Sequence, residues 1–364
     1  MVLHRITFIA ALLVTCNLVN AKELAETPSY NARVLASDLD QPWSVAELPN
    51  GDLLLTERGG QLWRVDNAGN KIKIGGVPAV YHKSQGGLFD ALPDINFAET
   101  GALYIAYAGG GADANRTTVV KANLNDNTLT QITTLLAVNP DKDTAVHYGG
   151  KLAWLADGTL LVSVGDGFEY REHGQDLDSE MGKLLRINSD GTIPADNPFV
   201  ATAPRVFSYG HRNPQGLVVD AATGSIFMTE HGPKGGDELN IIAPGKNYGW
   251  PAITYGIDYS GAVISPFTES PGMEQPITYW DPSIATSGLA IYHGNEFTDW
   301  EGDLLIGALK DRKLYRLEME GGTVLSQSEP FPEVQGRVRD VRVFSDGVIY
   351  ALTDEGQLYR ISRN

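Results

Sequence analysis

The stretch Gly51-Asp52-Leu53-Leu54-Leu55-Thr56, followed after a short turn by Gln61-Leu62-Trp63-Arg64-Val65, decides the fold. A glycine turn opens a short apolar run, a Gly59-Gly60 pair ends it, and a second run follows. That pattern is a hairpin, with glycine supplying turn angles that other residues avoid. The unit recurs. Gly101-Ala102 leads into Leu103 to Tyr107, Asp157-Gly158 into Leu160 to Val164, and Thr223-Gly224 into Ile226 to Thr229. Glu301-Gly302 leads into Leu304 to Ile306, and Asp346-Gly347 into Val348 to Leu352. Strand-like runs precede most of the turns, among them Trp43 to Leu48, Leu152 to Leu155, Leu217 to Val219 and Val338 to Phe344. Outer runs follow some, such as Lys313 to Leu317 and Gln357 to Ile361.

Short strands in six repeated units of about 50 residues predict an all-β chain: a six-bladed β-propeller of four-stranded antiparallel blades. The run Ala32 to Leu35 belongs to none of the units and is expected beside the C-terminal strands, closing the ring. The alternative is a β-sandwich. At 364 residues a sandwich needs two domains, and no linker-like segment divides the chain. Spacing widens between the third and fifth units, so long loops are expected there, where loops of that length usually carry function.

Residues 1–21 read as a secretory signal peptide. His4 and Arg5 precede the apolar run Ile6 to Val14, and Val19-Asn20-Ala21 ends it with a small residue. The run is too short to span a bilayer; a buried N-terminal helix is the alternative. Cleavage is expected after Ala21, leaving 22–364 as a single propeller domain. The one cysteine, Cys16, follows Val14-Thr15, a poor match to a lipidation site. The mature chain then holds no disulfide, and export without disulfides suits a bacterial periplasm or secretion. The net charge of −17 argues against nucleic acid or an anionic membrane surface as partner. It suits neutral or cationic small molecules.

Four polar, Gly-rich segments fall in or beside the long loops. His147-Tyr148-Gly149-Gly150-Lys151 places a histidine before a strand, and Asp166 ends the adjacent strand of the same hairpin. A lone histidine is more often structural than catalytic. A partner carboxylate changes that, because it orients the ring and raises its basicity, as a general base needs. Arg212 and Asn213 lie between Gly210 and Pro214 and are donors suited to an oxyanion or a polyacid ligand. Lys310, Arg337 and Arg339 would complete an anion pocket if the fold converges them; otherwise they are solvated surface charge. Glu238 follows Gly232-Pro233-Lys234-Gly235-Gly236-Asp237, a loop able to turn several carbonyls to one point, and carbonyls with a carboxylate suit Ca²⁺. There is no His/Cys cluster for zinc, and no Gly-x-Ser-x-Gly elbow, P-loop or dinucleotide fingerprint in the right context.

Residues 30 to 361 resemble the soluble PQQ-dependent aldose sugar dehydrogenases of the glucose/sorbosone dehydrogenase family. The resemblance is carried by Tyr209-Gly210-His211-Arg212-Asn213-Pro214-Gln215-Gly216-Leu217 and by the spacing from Glu230-His231-Gly232-Pro233 to Asn247-Tyr248-Gly249-Trp250-Pro251. It implies an enzyme that oxidises aldoses at C1, with hydride passing to PQQ and electrons to an external acceptor. It implies His147 as the base, Asp166 as its orienting partner and Arg212 as the group polarising the quinone oxygen. Gln85, Asn213, Ser287, Lys310, Arg337 and Arg339 are then cofactor contacts. Gly232 and Pro233 carbonyls become ligands of a bridging Ca²⁺, and Glu238 with the Tyr248 carbonyl ligands of a structural one. Val146 departs from the aspartate that glucose-selective members tend to carry, which favours a broad aldose range. Oligomeric state is left between monomer and homodimer. Two other readings stand: a Ca²⁺-dependent propeller lactonase, which would need more side-chain carboxylates around one ion, and a non-catalytic binding propeller.

Overall fold

The computed structural model describes residues 29–364; the expected signal peptide, its cleavage point and Cys16 lie outside the described residues. Six four-stranded antiparallel sheets are arranged as blades. From the first strand outward, blade one is Pro42–Glu47, Leu53–Glu57, Gln61–Val65 and Lys71–Ile74. Blade two is Leu88–Pro93, Ala102–Gly110, Asn115–Asn125 and Thr128–Ala137. Blade three is Leu152–Trp154, Thr159–Val164, Lys183–Asn188 and Val206–Tyr209. Blade four is Pro214–Val219, Ile226–Glu230, Asp237–Ile242 and Thr278–Trp280. Blade five is Thr286–Ile291, Leu304–Ala308, Lys313–Glu320 and Thr323–Ser328. Blade six is Val338–Val343, Ile349–Thr353 and Leu358–Arg363, completed by the N-terminal strand Tyr30–Ala36. That strand runs antiparallel to the last, with Tyr30 opposite Arg363 and Ala32 opposite Ile361, so the two ends of the described chain close the ring.

The predicted turn glycines explain the repeat. Gly51, Gly101, Gly158, Gly224, Gly302 and Gly347 all adopt positive φ, between 59° and 84°. An L side chain is strained there, so glycine marks each of these turns. Second strands lie between neighbouring blades and are buried along their whole length in every blade but the second. They therefore read as near-continuous apolar runs rather than alternating ones. Fourth strands such as Thr323–Ser328 face solvent and turn polar. The core lies between blades: Tyr104 and Val119 of blade two, for example, share a cluster with Leu160, Val162 and Leu185 of blade three.

The ring's axis is filled by charge. Lys151 Nζ lies 2.8 Å from Asp340 Oδ1, and Arg342 pairs with Asp340 at 3.2 Å and Asp90 at 3.4 Å. Lys151 also sits 4.6 Å from the ring centroid of Trp43. Two cations and two carboxylates from blades two, three and six so balance in a buried plug.

Candidate active site

A cavity of about 400 Å³ opens on one face of the ring. Its walls follow a simple rule of the fold. Residues just before or at the head of a first strand contribute Gln41, Trp43, Gln85, His147, Arg212, Asn213, Gln215, Ala285, Arg337 and Arg339. Residues just after a second strand contribute Arg58, His231, Leu309 and Asp354. In an antiparallel blade these two positions lie at the same edge, so six blades converge their strand ends on one bowl. Tyr259 alone among the lining residues comes from elsewhere, the long segment between the third and fourth strands of blade four.

His147 is held in a left-handed conformation at φ 52°. Its backbone N–H donates to Gln85 Oε1 at 2.8 Å, and Gly149 N–H donates to Asn213 Oδ1 at 3.3 Å. Its Nδ1 lies 2.7 Å from Asp166 Oδ1. Asp166 is fully buried and also accepts from Phe168 N–H at 2.8 Å and Trp250 Nε1–H at 2.7 Å. Burial would push this carboxyl up, but His147, Arg212 and the donated hydrogen bonds hold it below the usual carboxylate range. It is therefore an ionised acceptor, and Nδ1 carries the proton given to it. Burial lowers the His147 pKa, opposed by Asp166 and assisted by Arg212 and Lys142. The ring is neutral at neutral pH, and Nε2 is left as the basic nitrogen on the cavity side.

Four guanidiniums, Arg58, Arg212, Arg337 and Arg339, line the same cavity. Arg339 donates to Asp354 through Nε at 2.8 Å and Nη2 at 3.0 Å, and through Nη1 to Gln215 at 2.8 Å. Arg337 donates through Nε to Asp354 at 2.9 Å. Arg58 donates to Ser84 O at 2.6 Å and to the Gln41 amide oxygen. Arg212 donates through Nη1 to the carbonyls of Gly232 at 2.6 Å and His231 at 3.1 Å, and stacks 5.3 Å from the Trp250 ring. Asp354 is the one carboxylate on the wall against four cations; burial pushes its pKa up, but the charge and hydrogen bonds of Arg339 and Arg337 hold it down. Desolvation and the nearby charges of Arg212 and Arg339 push the half-buried His231 well below the usual imidazole range, and it stays neutral. The excess of positive charge in a chain of net −17 fits a polyanionic ligand such as the tricarboxylate quinone expected from the resemblance.

The structure brings His147, Asp166, Arg212, Gln85, Asn213, Arg337 and Arg339 together and leaves two expected contacts outside. Ser287 is fully buried, with its hydroxyl donating to Val338 O at 2.5 Å between blades five and six. Lys310 is exposed; its ammonium donates to Ser283 O at 2.8 Å and does not line the cavity. Arg58, which sequence reasoning missed, also lines the cavity; it follows the second strand of blade one as Asp166 follows that of blade three.

The expected metal ligands cluster beside Arg212. A small cavity of about 10 Å³ is lined by Arg212, Glu230, Gly232, Glu238 and Tyr248 among others. Glu230 and Glu238 are directly paired across neighbouring strands of blade four. Burial and the facing Glu230 push the Glu238 carboxyl up to about 8. Two facing carboxylates, next to a glycine loop so tight that a Cβ on Gly232 would meet Gly235 O and Gly236 O, suit a hard cation. Gly232 O already accepts from Arg212, Pro233 does not line this small cavity, and among the described residues no three carboxylate, imidazole or thiol side chains gather as a ligand set.

Comparison with known proteins decides the family. The sequence profile described as Glucose / Sorbosone dehydrogenase matches residues 39–360. The chain belongs to this family. It is 38% identical to the aldose sugar dehydrogenase of Escherichia coli, over 93% of this chain and 94% of that one. The crystal structure of that soluble enzyme in its apo form superposes with a TM-score of 0.87, covering 92% of this chain and 100% of the other. The PQQ-bound form of the aldose sugar dehydrogenase of Streptomyces coelicolor is 28% identical, with a TM-score of 0.78 over 93% of this chain and 99% of that one. Quinoprotein glucose dehydrogenase B of Acinetobacter calcoaceticus is 26% identical over 91% of this chain and 86% of its own. Membership of the glucose/sorbosone dehydrogenase family makes the chain an oxidoreductase.

Proposed function

We propose that the chain oxidises aldose sugars at C1 to lactones with PQQ as cofactor, and passes the electrons to an external acceptor. The observation that supports this reading is that His147, backed by the buried Asp166, lines the same cavity as four guanidiniums. When bound, PQQ supplies the two-electron acceptor for the hydride of the sugar's C1. The residues suited to hold its carboxylates are Arg58, Arg337 and Arg339, with Gln85 and Asn213 as further polar contacts. Ca²⁺ is proposed at the Gly232-Pro233 carbonyls and at Glu238 with the Tyr248 carbonyl.

His147 Nε2 takes the proton of the anomeric hydroxyl. The imidazolium so formed faces an ionised, buried Asp166, whose charge and hydrogen bond stabilise it as it appears. Arg212 keeps a fixed cation beside the reacting centre, where negative charge develops. Trp250 and Phe168 N–H hold Asp166 in place, so the ring does not turn during the transfer. Val146 rather than an acidic residue before the base supports a broad aldose range. On its N-terminal sequence we place the enzyme in the periplasm or outside the cell.

The test is reduction of an artificial acceptor by purified mature protein with Ca²⁺, PQQ and a panel of aldoses. PQQ-dependent turnover is expected, and His147→Ala should lose at least about 10²-fold. No PQQ binding and no turnover would refute the reading. Lactone hydrolysis without PQQ would instead point to the hydrolase, and PQQ binding without turnover to a binding propeller.

A further inference from the structure

The cavity walls built from strand ends are mainly polar, whereas the mouth beside His147 carries two exposed aromatic rings. Phe168 is 38% exposed and Tyr259 60% exposed. The Phe168 ring stands edge-on to the His147 imidazole, centroids 5.2 Å apart. Tyr259 continues the surface outward, stacked on Phe168 at 6.3 Å with planes 30° apart, and lies 5.9 Å from the Arg212 guanidinium.

Both rings are held. Phe168 takes a left-handed φ of 71°, which bulky residues rarely adopt, and its N–H is tied to the same Asp166 oxygen that holds His147. Tyr259 sits in a turn closed by Asp258 N–H to Ala262 O at 2.9 Å and Gly261 N–H to Asp258 O at 2.8 Å. That turn is fixed to the metal-loop segment by the paired backbone bonds between Lys234 and Ile257. Exposed, fixed aromatic faces that cover no core are what a ligand with an apolar face uses.

A pyranose has such a face. Its hydroxyls radiate from the rim while axial C–H groups gather on the two sides, and a C–H patch packs on an aromatic ring by dispersion and by attraction to the negative π face. A sugar whose anomeric hydroxyl reaches His147 Nε2 lies within reach of Phe168, whose ring is one ring-width from the imidazole. We infer that Phe168 and Tyr259 form the sugar-stacking wall of the site and set its specificity, with Tyr259 the outer member. This rests on the reading of the chain as an aldose-oxidising enzyme. The wall joins two parts of the fold: Phe168 comes from the blade-three edge that also carries Asp166, and Tyr259 from the blade-four insertion. Sugars that interrupt the C–H patch with an axial hydroxyl on the stacked side are expected to bind less well.

The experiment combines steady-state kinetics of the PQQ- and Ca²⁺-loaded enzyme with binding of a methyl glycoside to the PQQ-free protein. The glycoside has a blocked anomeric oxygen, cannot be oxidised, and reports binding by saturation transfer from aromatic protons. Tyr259→Ala is expected to raise both the aldose KM and the glycoside Kd about tenfold, or about 1.4 kcal/mol, with kcat within about threefold. Phe168→Ala is expected to raise KM and Kd in the same direction, and Tyr259→Phe to restore them. Unchanged KM and Kd in both alanine variants, or an equal loss in Tyr259→Phe, overturns the inference. Near-UV circular dichroism confirms that the variants fold. If the wild-type enzyme oxidises no aldose, the proposed function fails, and the glycoside arm alone then decides whether the wall binds sugar.

Discussion

Replacing Asp166 by asparagine removes one negative charge and almost no volume from the base. The fully buried carboxylate accepts three hydrogen bonds: from His147 Nδ1 and Phe168 N–H on one oxygen and from Trp250 Nε1 on the other. An amide has one acceptor oxygen, so either Trp250 or His147 is left facing an NH₂ group. If the oxygen stays toward His147 the tautomer survives, but the imidazolium formed on proton transfer loses its countercharge. A hydrogen bond to a charged group contributes about 1.5–3 kcal/mol net, which converts to a fall in kcat of about 10- to 150-fold. The pH profile gives a second, independent sign. His147 must be neutral to act, so activity is present above its pKa and lost as pH falls through it. Burial already sets that pKa below 6.5, and Asp166 is the group that raises it. In Asp166→Asn the acid limb should therefore move to lower pH even as the plateau rate drops. The assay is kcat against pH with saturating PQQ, Ca²⁺ and aldose, with the thermal midpoint measured alongside. A plateau within about threefold of wild type, or an acid limb that moves up, would refute the role given to this carboxylate.

Two further outcomes follow from the buried charges. Lys151→Met should destabilise the fold by about 3–5 kcal/mol in denaturant unfolding, because it strips one member from a buried ion cluster and leaves Asp340 undercompensated; the double variant Lys151→Met/Asp340→Leu should recover part of that loss. Added Ca²⁺ should raise the thermal midpoint of the wild-type protein, and Glu238→Gln should remove most of the gain, since the paired Glu230 and Glu238 carboxylates are then no longer both available to the ion.

What the sequence made legible has a physical boundary. The six turns could be counted because a tight turn needs positive φ, and glycine declares it at Gly51, Gly101, Gly158, Gly224, Gly302 and Gly347. The closing strand was legible because Ala32 to Leu35 had an apolar run and no partner of its own. His147 and Asp166 were within reach of the same reasoning, being two ends of one hairpin. Contacts between blades were not. Arg58, Arg339 and Asp354 meet from the neighbouring blades one and six, and nothing local in Glu57-Arg58-Gly59 separates that arginine from any turn cation. Lys310 shows the converse: it too follows a second strand, yet its side chain turns to Ser283 O and leaves the bowl to Leu309. A single residue of phase at the end of a strand thus decides whether a cation joins the site, because successive side chains point to opposite faces. Ser287 fails for the same reason, one strand further in, where its hydroxyl is spent on Val338 O. The rule that emerges is positional. In this ring the residue before a first strand or immediately after a second strand is a candidate for the site, and applying it blade by blade recovers Gln41, Arg58, Ala285 and Asp354 together with Asn213 and Arg337, whereas Gln85, His147, Asp166 and Arg212 stand a few residues further into the loops. Tyr259 escapes even that rule, because it reaches the bowl from the segment between the third and fourth strands of blade four and not from a strand end.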